Sequence, residues 1–491
     1  TFGGDPHWVG ELGKSYITGI HQGSANQVAV IAKHFPGRGS SDRPPDLEVA
    51  TVRKSLEQLK QIELAPFFAV SGNSPSPEAA ADGLLVSHIR YQGFQGNIRA
   101  TTRPVSLDPT AFETLMNLPQ FVAWREQGGI VVSDDLGSAA VRRLYNNLGQ
   151  LFEARQVARN AFLAGNDLLY VDNFVGSGET DSYTTILRTL EFFEQKYRED
   201  PAFAQRVDAS VARLLAIKFR LYPDFSLEQV LPPPDGLDTV GQSQQVTFQV
   251  AQQAATLLSP EPAELSVTLA RPPTTRERIV FIMDTLDSKQ CSQCATQSAL
   301  APNALENAVL RLYGPKAGGE VQLYQLSSYT FLELTNLLNG LAGFESDLKV
   351  MENEIRSADW VVFSMLNIQN TRPESFAVRR FLSERPDLSR NKRLVVFAFN
   401  APYYLDATDS SKLTAYYAMY SKAPAFIEMA ARLLFQETTP SGALPVTVPG
   451  VGYDLITATS PDPEQVIPLF VDLPALEEPE PGNGDAPTTP E

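Results

Sequence analysis

Two adjacent carboxylates, Asp134 and Asp135, follow directly on Gly129-Ile130-Val131-Val132-Ser133. That run is short, apolar and β-branched, and it reads as a buried strand. An acid just past such a strand is a candidate catalyst, because parallel βα folds present their chemistry at the C-terminal ends of their strands. An Asp there could instead cap the next helix. Three other apolar runs end in polar groups as well. Lys33 and His34 follow residues 27–32, His88 follows residues 83–87, and Asp172 and Asn173 follow residues 167–171. One rim would therefore collect the chemistry.

The elements that must position this rim alternate. Helical periodicity is expected around residues 52–62, 109–126, 144–163, 184–196 and 201–219, between and after the four strands. Strand–helix alternation implies a parallel sheet. The expected fold is α/β: a partial (β/α)8 TIM-type barrel, followed by a second α/β sandwich domain with a mainly parallel sheet. An open doubly wound first domain is the competing account. Pro232-Pro233-Pro234-Asp235-Gly236 marks a linker, and an amphipathic helix follows over residues 246–258. Strands of the second domain are expected at residues 279–283, 321–326, 360–366 and 393–399, with a last helix at 425–435. The expected division is 1–222 for the barrel part, 223–262 for linker and helix, 263–471 for the second domain, and 472–491 for a disordered acidic tail.

With 491 residues the chain is too long for one ordinary core. A formal net charge of -17 repels nucleic acid and anionic lipid, so neither is expected as a main partner. No apolar run is long enough for a transmembrane helix, and no targeting segment opens the chain. The only cysteines, Cys291 and Cys294, form a C-x-x-C without a second ligand pair or a nearby His, so no metal site is expected. A structural role, a redox dithiol and two free thiols stay open. No cofactor is expected.

Four segments carry a resemblance when taken together and in order. They are Lys33-His34-Phe35-Pro36-Gly37, Ser87-His88-Ile89, Pro104-Val105-Ser106-Leu107 and Val132-Ser133-Asp134-Asp135-Leu136-Gly137. They resemble glycoside hydrolase family 3, and within it the bacterial β-N-acetylglucosaminidase branch. Thr1-Phe2-Gly3-Gly4-Asp5-Pro6 resembles the family's Arg-Ser-Phe-Gly-x-Asp-Pro segment, which lies mid-barrel. The N-terminal half-barrel and that segment's Arg are therefore expected to be absent from this chain. Pro440-Ser441-Gly442-Ala443-Leu444-Pro445-Val446 is similar to the signature closing the family's second domain.

The resemblance implies a retaining exo-β-glycosidase, of β-N-acetylhexosaminidase type, acting on cell-wall or chitin-type sugars through a glycosyl-enzyme intermediate. Asp134 would be the nucleophile, a role a carboxylate can fill. Lys33 and His34 would hold sugar hydroxyls, and His88 would join the sugar pocket or else serve as a core histidine. The carbohydrate is the expected partner, the chain a monomer and its location extracytoplasmic.

The pattern breaks after Gly37. The branch continues His-Gly and then carries an Asp-Ser-His whose His is the general acid/base. Here Arg38 replaces the first of those histidines, Pro44 falls where the Asp should be, and Asp46 where the last His should be. No histidine occurs between His34 and His88. Asp46 is the expected acid in its place, with no adjacent cation to oppose protonation. Asp42, beside Arg43, and Glu48 are the other loop carboxylates. An acid from the second domain, or a glycan-binding protein without turnover, stays open. So do β-glucosidase activity and phosphorolysis, for which Arg38 could hold phosphate.

Overall fold

The computed structural model describes residues 2–459, apart from residues 148–150, 225, 228–230, 232–235, 240, 289–294 and 341–344. Cys291, Cys294 and the expected tail lie outside the described residues. The fold is α/β, with two main sheets, one parallel and one mainly parallel.

In the first sheet, Ile31–Phe35, Gly83–Val86 and Ile130–Ser133 lie side by side in that order, all parallel. Phe35, Leu84, Val86 and Val131 are completely buried, which is why these short apolar runs are strands. The register pairs Phe35 with Val86 and Val86 with Ser133, so the three C-terminal ends are level. Lys33 and His34 belong to the first strand itself rather than following it. The sheet stays open, and no barrel closes among the described residues.

Residues 167–171 continue the sheet by a single parallel bridge, Val132 to Leu168. Side chains take over part of the ladder there. Asp167 Oδ2 accepts the Val131 amide at 2.9 Å, and Ser133 Oγ accepts the Tyr170 amide at 3.0 Å.

The helix expected over 109–126 is two helices, Pro109–Met116 and Pro119–Glu126. Pro119 disfavours helical backbone at Leu118, which is extended. Residues 52–62 also divide. Thr51–Ser55 is a strand pairing with Arg90–Tyr91, and Ser55 caps the helix Leu56–Gln61. Asp181 and Asp200 cap the long helices Ser182–Glu199 and Pro201–Leu221.

The second sheet has six strands. Leu326–Thr330, Ile279–Met283, Trp360–Met365, Arg393–Ala398 and Ala415–Ala418 are parallel neighbours in that order. Thr256–Ser259 closes one edge antiparallel. This edge strand and the helix Gln244–Ala254 before it come from the stretch expected as linker and helix. The strand expected at 321–326 lies a few residues later. Leu323 and Tyr324 are exposed in a short 3-10 turn instead.

The two terminal motif segments meet. The Gly4 amide donates to the Pro445 carbonyl at 2.9 Å, and a Cβ at Gly3 would lie 2.7 Å from that same oxygen.

One close approach fixes the loop beyond Asp134. A Cβ at Gly137 would lie 1.7 Å from the Asp172 carbonyl oxygen. Gly137→Ala should therefore destabilise the protein by about 2–3 kcal/mol, read as a lower midpoint in urea unfolding. An unchanged midpoint would contradict this packing.

Candidate active site

Asp134 is the first residue past the Ile130–Ser133 strand, and it is half-buried. Its amide donates to the Val86 carbonyl at 3.0 Å, which pins it to the end of the neighbouring strand. Its Oδ1 accepts the Asp135 amide at 2.9 Å, and no described residue donates a hydrogen bond to its Oδ2. One carboxylate oxygen is thus fixed while the other is available for chemistry.

His34 lies on the same rim. Burial pushes its imidazole below the usual histidine range, and Arg38 and Lys33 act in the same direction. Asp134 and Asp46 oppose them. His34 is therefore within electrostatic reach of four of the expected site groups, and burial favours its neutral form. A neutral ring can both donate to and accept from a hydroxyl. Lys33 is exposed, next to it in sequence.

Arg38 and Asp46 do not stand apart as expected. Arg38 Nη1 donates to Asp46 Oδ1 at 2.8 Å. Asp46 thus has a cation beside it, brought there by the fold of the loop from eight residues away. Its side chain is 77% exposed, so the burial that suits a general acid to neutral pH is lacking. The other two loop carboxylates are also ion-paired. Glu48 meets Arg43 and Arg143, each at 3.3 Å. Asp42 is held below the usual carboxylate range. Its partial burial works the other way and is outweighed by hydrogen bonds from Arg43 and the Thr51 amide.

His88 is buried as a core histidine, and both ring nitrogens are used within the protein. Nε2 lies 2.9 Å from the Asp135 carbonyl, which only accepts, so Nε2 carries the hydrogen. Nδ1 then accepts the Ser106 hydroxyl at 2.7 Å. His88 positions the loop carrying Asp134 and Asp135 and is closed to ligand.

Asp135 is a structural acid at the base of the loop. Its Oδ1 accepts the Gly137 amide at 2.9 Å and the Asp172 amide at 2.8 Å. Burial raises its pKa, with these two hydrogen bonds opposing. Arg142 completes the brace, with Nε donating to the Gly137 carbonyl at 3.1 Å. Away from this rim, a cavity of about 360 Å³ opens at the other end of the sheet, lined by Asp82, Trp124, Ile217 and Arg220 among others. The strand ends do not direct their polar groups there.

Residues 1–217 match the Glycosyl hydrolase family 3 N terminal domain. A β-hexosaminidase of Xylella fastidiosa (strain M23) is 32% identical over 143 residues, which is 29% of this chain and 36% of that protein. A β-hexosaminidase of Shewanella frigidimarina is 22% identical over 220 residues, 44% of this chain and 58% of that protein. The solved family 3 β-N-acetylglucosaminidase from Paenibacillus sp. str. FPU-7 superposes with a TM-score of 0.65 at 19% identity. The superposition covers 92% of this chain and 72% of that one. A β-glucoside phosphorylase superposes at 0.61 with 16% identity, over 92% and 71% of the two chains. Residues 1–217 are therefore similar to the N-terminal domain of glycoside hydrolase family 3.

The neutral, buried state of His88 carries a pH signature. Burial depresses its folded pKa, while an unfolded histidine titrates near about 6.5. Its contribution to stability is complete above that value and is lost as pH falls through the folded value. Wild-type melting temperature should fall below about pH 6.5 more steeply than that of His88→Asn. Parallel profiles would contradict the assignment.

Proposed function

We propose that the protein is a retaining exo-β-glycosidase that removes terminal β-linked N-acetylglucosamine from cell-wall or chitin-type glycans. The observation that carries this reading is Asp134 at a level rim of parallel strand ends, within electrostatic reach of His34. The family 3 match over residues 1–217 and the two β-hexosaminidase relatives support it. Among the described residues no helix is long and apolar enough to cross a membrane. The extracytoplasmic location stands as part of the proposal.

In this mechanism Asp134 Oδ2 attacks the anomeric carbon. The bond to the leaving oxygen breaks, and that oxygen takes up a proton. Water then attacks the glycosyl-enzyme, gives up its own proton and frees the Asp134 carboxylate. Lys33 and His34 hold the hydroxyls of the non-reducing sugar. Asp46 is the loop carboxylate we assign to give the leaving oxygen its proton and to take the proton of the attacking water. We read residues 1–222 as part of a (β/α)8 barrel, residues 223–262 as the connection and residues 263–471 as the second domain.

One specific observation favours a second reading. All three loop carboxylates are ion-paired, so the 42–48 loop offers no buried acid. A glycan-binding protein without turnover would look like this.

Kinetics separate the two. Asp134→Asn should lower kcat on an aryl N-acetyl-β-glucosaminide by on the order of a thousandfold, with sugar binding retained. Full activity in that variant would remove the nucleophile assignment. Binding without turnover in the wild type would establish the second reading.

A further inference from the structure

The turn that carries His34 and Arg38 rests on a carboxylate that no sequence motif brought forward. Glu63 is buried, with its side chain 5% exposed. Its Oε1 receives the Lys54 ammonium and, at 2.7 Å, the Ser40 hydroxyl. Its Oε2 is buried and meets no hydrogen-bond donor among the described residues.

Gly37 lies directly on the stem of this residue. A Cβ at Gly37 would come within 2.7 Å of Glu63 Cβ and 3.0 Å of its Cγ. Gly37 also has a φ of +117°, which favours glycine. From elsewhere in the fold, the buried Tyr91 hydroxyl donates to the Gly37 carbonyl at 2.7 Å. The Gly37 amide closes the turn on the His34 carbonyl at 2.8 Å. Glu63 and Tyr91 together hold the turn that ends the first strand.

A buried ion pair is a poor way to add stability. Well-packed apolar side chains of similar volume usually do as well or better. An orphaned carboxylate oxygen makes the arrangement costlier still. What the carboxylate adds is direction. One oxygen ties Lys54, in the strand Thr51–Ser55, to Ser40 in the site loop. We propose that Glu63 is a positioning residue of this site: through Ser40 and Gly37 it fixes the turn that presents His34 to the sugar. The role rests on the glycosidase reading above.

Glu63 does not touch the reacting atoms, and Asp134 is braced independently by Asp135 and His88. Loosening the turn should therefore weaken sugar binding and spare the chemical step. Ser40→Ala cuts the link to the loop and leaves the Lys54–Glu63 pair intact. Glu63→Gln keeps the shape and removes the charge. KM and kcat on an aryl N-acetyl-β-glucosaminide, Kd for N-acetylglucosamine by calorimetry, and Tm are measured for each. Both variants should raise KM and Kd roughly tenfold, with kcat within about threefold of wild type. Ser40→Ala should keep Tm within about 2 °C.

The double variant Lys54→Met/Glu63→Leu covers the case in which Glu63→Gln fails to fold. It should recover Tm and still show the raised KM and Kd. Wild-type KM and Kd in Ser40→Ala, or in the double variant, overturn the inference. A fall in kcat with KM unchanged does so too. A wild type that neither binds nor cleaves the sugar refutes the glycosidase reading itself, and this inference with it.

Discussion

Asp135 is the side chain on which the strand ends converge. Its carboxylate gathers the amides of Gly137 and Asp172, and its carbonyl receives the buried ring of His88. Three loops, following residues 86, 133 and 171, are thereby held to one another. Asp134 has little freedom between such neighbours. Its amide is bound to the adjacent strand and one of its oxygens to the next residue. A nucleophile needs that kind of fixed approach, because misplacement by about 1 Å can cost a hundredfold in rate.

The opposite end of the same sheet is also tied by acids, for a different purpose. Asp167 is buried at the start of the fourth segment, and burial alone would raise its pKa. Arg125 and the hydrogen bonds it receives from the Val131 amide and Ser210 hold it below the usual range instead. Arg206, Ser210 and Arg213, spaced one helical turn apart on Pro201–Leu221, all reach Asp167. Arg220 from the same helix reaches Asp82, which also meets His21 and the Val30 amide. Charged contacts thus fasten the closing helix to the strand starts, while the strand ends carry the rim with Asp134 and His34.

The parallel strands were legible because burial on both faces demands uninterrupted apolar, β-branched runs such as residues 130–133 and 360–365. Strands with wetter surroundings were not. Leu326-Ser327-Ser328-Tyr329-Thr330 is a partly exposed edge strand of ordinary polarity, while the more apolar run before it became an exposed turn. Within the site, the place of Asp134 followed from its strand. The role of His88 could not, since its partners lie 18 and 47 residues away and are chosen by the fold. The Arg38–Asp46 pair and the Glu63 support were hidden for the same reason. No local periodicity marks a contact made by loop closure.

The central claim is that Asp134 becomes covalently attached to sugar. Intact-mass analysis, followed by peptide mapping, after reaction with a 5-fluoro N-acetylglucosaminyl donor tests it most directly. The account predicts one added glycosyl unit, located on the peptide containing Asp134 and absent from Asp134→Asn. A label on any other residue, or steady turnover of the natural linkage with no covalent species trapped, would contradict it.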